Sequence, residues 1–508
     1  MISFLTHRIR LMHLVVSALF MFFVFQLEGL HTYRYSTKID EAYCHIIALR
    51  FNQGQQILNE IKNSEPDNLL VYHIENYIDF FKTFIGEESN DYQTFQNNLK
   101  TRIEQLKKGD QSSPYYLYTL AEVKLQRALL RLKFQEYIKA GLEINQSYKL
   151  LKKNQRAFPD FALNNKSLAI IHSLIGSIKG VKKSLIKLFT SLDGNTKKGI
   201  LEIDDIYYKS LSKNASFQAE IIGIRSLMAL HVENNFDKAA RILETKQASQ
   251  FQGPLFSFIR ASLKRHAGDN EGVLTVLDTT YSNQHYPFHY LSLIRGSAKL
   301  QKLDTTARED ILSFVNHFKG RNYIKDAYQK LGWYELLINE RPDRYEQLMG
   351  LCEKYGSDIA GEDQQALHEA KSRSYPHVQL LKSRLLFDGG YYRKASTVLN
   401  SVDPSSLSNS HFLEYTYRMA RIMHKTDNYT EAVKLYGSTI NIGRESPDYF
   451  ACNSALQTGI IFMELNEDSR AKHYFNLCLK IKPKQHRHSL HQKAILWKEK
   501  LSEEGSLE

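Results

Sequence analysis

The sequence predicts an all-α fold built as an array of helical hairpins. Three observations carry that prediction. A trio of a small residue, an aromatic and an alanine recurs along the chain at helical spacing. The 508 residues include only 25 glycines and 10 prolines, which suits helices joined by short turns. And 508 residues exceed what one compact core holds, whereas in a repeat array each hairpin packs only on its neighbours. Hydrophobic residues make up 43% of the chain, so it folds rather than trailing as a tail.

The clearest hairpin runs from Cys452 to Pro483, with Gly459, Phe462, Ala471, Phe475 and Cys478 between them. Small residues at Gly459 and Ala471 let two helices approach closely. Phe475 fills the space beside them, and Pro483 stops the second helix. This arrangement resembles the tetratricopeptide (TPR) pattern. Ala420, Met423, Tyr429, Ala432 and Tyr436 repeat it upstream, and before them Ser383, Leu386, Tyr392, Ala395 and Leu399 follow the same order. Weaker matches include Tyr328, Leu331 and Gly332, then Phe236 and Ala239, and Ala42, Gly54, Leu58 and Pro66 near the start. The alanine spacing is 37 residues from Ala395 to Ala432 and 39 from Ala432 to Ala471. A strict TPR period is about 34. The expected fold is therefore a degenerate TPR-like α-solenoid of about ten hairpins.

One stretch breaks this rhythm. From Ser167, Leu174, Ile178, Val181, Leu185 and Leu188 recur at helical spacing with Lys179, Lys182, Lys183 and Lys187 between them. Such a basic amphipathic segment either packs across the solenoid as a non-TPR insert or lies on an anionic membrane. Gly176 and Gly180 favour packing, because they suit close helix contact.

At the N-terminus, His7, Arg8 and Arg10 precede an uncharged run from Leu14 to Phe25. A positive segment before an apolar one is an export signal. No small-x-small cleavage site follows it. Extended to residues 11–27, the run approaches the roughly 17–25 residues of a spanning helix, so a cleaved signal and a membrane anchor both remain open. Either places the rest of the chain outside the cytoplasm. The expected organisation is a signal or anchor over 1–30, TPR-like hairpins over 31–160, the insert over 161–210, middle hairpins over 211–360 and C-terminal repeats over 361–508.

The segments YLSLIRGSAKLQKLD from Tyr290, FKGRNYIKDAYQKLGWYELL from Phe318 and LLKSRLLFDGGYYRKA from Leu380 are similar to a family of exported bacterial TPR proteins of about this length. The likeness covers the second half well and the first half loosely. SLIGSIKG, from Ser173, faintly resembles a eukaryotic mitochondria-associated TPR family. The resemblance implies an α-solenoid, export to the periplasm or envelope, and no catalytic residues.

Chemistry is sparse. Cysteines at 44, 352, 452 and 478 leave no CxxC pair, which excludes a zinc site of that type. Cys452 and Cys478 fall at facing positions of one hairpin, so they are either two core thiols or a disulfide in an oxidising compartment. His486 and His488 read as part of a solvated turn. No phosphate-binding loop, nucleophile elbow or HExxH motif is present. No cofactor, metal, catalytic residue or small-molecule substrate is expected. The net charge of +12 favours anionic partners, but no nucleic-acid-binding signature accompanies it. TPR geometry would line a groove with the first helices of successive hairpins. That implies Trp333, His377, Arg384, Tyr417, Arg421, Lys425 and Asn453 as partner contacts, since aromatic and Arg residues are common anchors. The expected function is a non-enzymatic scaffold for a protein or peptide in the cell envelope. The alternative is membrane or lipid association through residues 167–190.

Overall fold

A computed structural model of the chain describes residues 31–177, 194–210, 214–278 and 283–504. The expected signal or anchor at 1–30 and the lysine-bearing part of the insert at 178–193 lie outside the described residues. Those described form 25 α-helices and no β-strand, with successive helices packed in pairs. The chain is thus all-α and solenoid-like. It divides into two compact units, each treated separately below.

Unit one comprises the described residues up to Leu263 together with 283–288. Its helices are α1 (Thr37–Ile47), α2 (Phe51–Ser64), α3 (Leu70–Gly86), α4 (Ser89–Leu106), α5 (Pro114–Lys133), α6 (Tyr137–Ala157), α7 (Leu163–Ser177) and α8 (Thr196–Ser210). There follow α9 (Ala215–Met228), which continues into a π-turn, α10 (Phe236–Leu243), α11 (Lys246–Ser249) and α12 (Pro254–His266). The pairs are α1 with α2, α3 with α4, α5 with α6, α7 with α8, and α9 with α10. Helix α1 also packs on α3 and on α9, so the first and last hairpins of the unit meet. Ile39, Ile46, Leu58 and Ile61 are fully buried between α1 and α2. Each stabilises the unit by about 1.5–3 kcal/mol relative to exposure.

Unit two comprises Lys264–Asp278 and the chain from His289 onward. It contains α13 (Asn270–Leu277), α14 (Tyr290–Gln301), α15 (Ala307–His317), α16 (Ile324–Leu337), α17 (Pro342–Lys354), α18 (Gly361–Ser372) and α19 (Val378–Asp388). The remainder are α20 (Tyr392–Asn400), α21 (Asn409–Lys425), α22 (Tyr429–Gly443), α23 (Phe450–Glu464), α24 (Asp468–Lys480) and α25 (Arg487–Glu504). Here α14 pairs with α15, α16 with α17, α19 with α20, α21 with α22 and α23 with α24, while α25 covers α24 as a final layer.

A turn with one geometry recurs through both units. A residue in the left-handed region ends the first helix, and five positions later a small buried residue sits in the second. Leu49 precedes Gly54, Gln135 precedes Ala140, Asn234 precedes Ala239, Gly390 precedes Ala395, Asp427 precedes Ala432 and Asn466 precedes Ala471. At Gln135, Gly390, Asp427 and Asn466 the following amide donates to a carbonyl five residues back, at 2.7–2.9 Å. That 6→1 bond satisfies an otherwise orphaned carbonyl at the helix end. The turn fixes where the second helix starts, so its first inward residue always lands at the closest approach. Ala395, Ala420, Ala432, Ala471 and Phe475 are fully buried there, and Gly459 and Pro483 are buried as well. In α19 the position is polar but satisfied, because the buried Ser383 hydroxyl donates to the Ala395 carbonyl at 3.0 Å.

The described part of the insert packs as closely as any other hairpin. A Cβ on Gly199 would lie 2.2 Å from the Ser173 Oγ and 2.7 Å from the Ala169 carbonyl. His172 of α7 and Glu202 of α8 pair at 2.6 Å. The small contact in this hairpin is therefore glycine on α8 against alanine and serine on α7, a pairing that the search for an alanine did not reveal. No described helix is long and apolar enough to cross a membrane.

A basic pocket in unit two

Helices α19, α21 and α23 are the first helices of three consecutive hairpins. Their inward faces, with the start of α25, enclose a cavity of about 290 Å³. Arg384 and Asp388 come from α19, Tyr417, Arg418 and Arg421 from α21, Asn453 from α23, and Lys493 from α25. Residues three or four apart share one helix face, which is why Tyr417, Arg418 and Arg421 reach the same space.

The polar groups here are mostly donors. Tyr417 accepts hydrogen bonds from Arg421 Nη1 at 3.1 Å and from Asn453 Nδ2 at 2.6 Å. Its own hydroxyl hydrogen is then left to donate elsewhere. Arg421 stacks on the Phe387 ring at 4.8 Å. Among the described residues its Nε has no hydrogen-bond partner, and no carboxylate lies within ion-pair distance of it. Arg384 stacks on Trp333 at 5.1 Å and reaches Asp388 only at 3.7 Å. Arg418 is neutralised by Glu414 one turn away. Four cationic side chains thus line the pocket, opposed by Asp388 in its wall and by Glu414 beside Arg418.

The surplus positive charge acts on neighbouring groups. Burial and then Arg421 depress the Lys493 ammonium below the usual lysine range. Partial enclosure at the pocket rim, then Arg384 and Lys493, lower His486, whose ring packs edge-on to Tyr449 at 4.9 Å. Burial, Arg421 and Lys425 push His424 down to about 4. An uncompensated, partly enclosed positive potential of this kind attracts an anion and is released by one.

Of the residues assigned to a groove from the sequence, Arg384, Tyr417, Arg421 and Asn453 come together in this pocket. Trp333 does not line it. Trp333 is buried, donates from Nε1 to Glu369 at 2.7 Å, and supports Arg384 from behind. His377 caps the N-terminus of α19, and Lys425 is an exposed residue at the end of α21. Sequence reasoning missed Arg418, Tyr449, His486 and Lys493. His486 is exposed, yet it borders the cavity instead of standing in a purely solvated turn. Arg418 carried a signal in its spacing from Arg421. Lys493 carried none, because α25 reads as a polar terminal helix.

Cys452 and Cys478 face one another across α23 and α24. Both are buried free thiols with Sγ atoms 3.6 Å apart. The hydrogen bond between them lowers the Cys452 thiol and raises that of Cys478. Among the described residues no cluster of His, Cys, Asp or Glu could hold a metal ion. No family model matches the chain, and no curated protein shows significant similarity to it.

Proposed function

We propose that the chain is a non-enzymatic scaffold of TPR-like hairpins, acting in the cell envelope after export, whose second unit grips an acidic segment of a protein partner. The supporting observation is the pocket between α19, α21, α23 and α25, where Arg384, Arg421 and Lys493 converge with few carboxylates to oppose them. A carboxylate entering there would pair with the Arg421 guanidinium, which no carboxylate among the described residues reaches. Charge-assisted bonds of this type are roughly twice as strong as neutral ones. A peptide suits the site better than a compact metabolite, because the pocket opens along the first helices of successive hairpins and offers a series of contacts.

Affinity capture from the native host, with the full chain and its Arg384→Glu/Arg421→Glu variant as paired baits, tests this reading. A partner with an acidic stretch should be retained by the wild type and lost by the variant. Retention of the same partners by both baits would remove the pocket from the binding role.

A further inference from the structure

Unit one holds a second cavity, unrelated to the basic pocket. Helices α1, α3, α5, α7 and α9, the first helices of its five hairpins, all contribute to its wall. Helix α1 packs on α9 and brings the first and fifth of these helices together. The cavity is about 290 Å³. Tyr43, Tyr77, Tyr115, Tyr118, Phe161 and Phe217 are among the residues that line it.

Its charged groups are one ammonium against two largely buried carboxylates, with the exposed carboxylate of Asp160 at its edge. Lys166 is 1% exposed, and its Nζ lies 2.7 Å from Glu220 and 3.4 Å from Glu122. Tyr77 Oη lies 3.1 Å from Glu122 and 3.0 Å from Glu220. Ser167 completes Glu122. Among the described residues the cavity's lysine is already paired, so nothing there is left to hold an anionic ligand.

His73 lines the cavity, is 4% exposed, and touches Tyr77 and Tyr118 edge-on at 5.6 Å each. Among the described residues neither ring nitrogen has a hydrogen-bond partner. A neutral imidazole offers one donor and one acceptor, and leaving both unmet in a buried site is costly.

We propose that unit one binds a ring-bearing small molecule without negative charge that stacks between the tyrosines and meets His73 with a hydroxyl or amide group. The aromatic walls provide area for a ring, His73 fixes its polar end, and the surplus of carboxylates selects against anions. This is the usual composition of a ligand pocket, apolar walls with a few placed polar groups. It stands independently of the peptide reading for unit two.

Phenol serves as the ring probe, with benzoate as its anionic counterpart of similar size. Titration calorimetry and saturation-transfer NMR on the full chain should show phenol binding at least tenfold more tightly than benzoate. His73→Phe keeps the ring and removes the polar contact, so phenol affinity should fall about tenfold. Arg384→Glu/Arg421→Glu should leave phenol binding unchanged. Absence of a phenol signal, equal binding of benzoate, or unchanged affinity in His73→Phe would overturn the proposal. If His73→Phe does not fold, hydrogen exchange decides on the wild type. Slower exchange in α3 and α9 with phenol supports the site, and unchanged exchange there overturns it.

Discussion

Replacing Gly459 by alanine should destabilise unit two, while the same change at Gly437 should stabilise it. Both glycines lie inside helices, α23 and α22 respectively. Alanine is the better helix former by about 1 kcal/mol, and that gain applies to both. The difference lies in what the new methyl meets. At Gly437 nothing lies within 4 Å. At Gly459 the Cβ would sit 2.5 Å from Phe475 Cε1 and 2.6 Å from Cδ1. Phe475 is fully buried among Cys452, Leu456 and Ala471, so its ring has no free space to enter. Overpacking of this kind costs about 1–3 kcal/mol. The expected net effects are a loss of about 1 kcal/mol for Gly459→Ala and a gain of up to about 1 kcal/mol for Gly437→Ala. Urea unfolding followed by far-UV circular dichroism reads both as opposite shifts of midpoint at unchanged slope. A rise in midpoint for both variants would refute close helix approach at Gly459.

Three further outcomes follow from buried polar groups. Lys166→Met leaves Glu122 and Glu220 without their shared ammonium and should cost about 3–5 kcal/mol; adding Glu122→Gln and Glu220→Gln should recover most of it, and a single variant as stable as wild type would contradict the pairing. Burial holds His73 at about 4 against an ordinary value of 6.5, so its contribution is complete above pH 6.5 and lost as pH falls toward 4. That gap amounts to about 3 kcal/mol, and His73→Phe should flatten the fall of the urea midpoint between pH 7 and pH 5. For Cys452 and Cys478, intact mass after purification without reductant should show two thiols, with diamide closing them into one intramolecular bridge; a bridge found before oxidation would contradict the free pair.

Much of the hairpin order was legible because Gly459, Ala471 and Phe475 combine chemistry that only a close helix crossing requires. The turns were harder to see. Only Gly390 among the last three carries the residue type expected for a left-handed cap, and Asp427 and Asn466 stand where glycine would have flagged the boundary. Leu49 and Gln135 give no local signal for that conformation, which tertiary packing imposes. The α7–α8 pair was read as foreign because its small contact is Gly199 rather than alanine. Within the basic pocket, helix periodicity brought Tyr417 and Arg421 together. The approach of Lys493 and His486 from the terminal helix depends on how α25 folds back over α24, and no spacing along the chain encodes that. The cavity around His73 was illegible for the same reason, since it exists only where five hairpins come together.

The role of the basic pocket is tested most directly by fluorescence anisotropy with labelled Asp/Glu-rich peptides on the full chain. Binding should weaken as salt is raised, because the pocket is partly open and its charges are screened. Arg384→Glu/Arg421→Glu should reduce affinity by tenfold or more, while Gly437→Ala leaves it unchanged. Equal affinity in the double variant, or equally tight binding of Lys/Arg-rich peptides of the same length, would contradict an anion-gripping unit two.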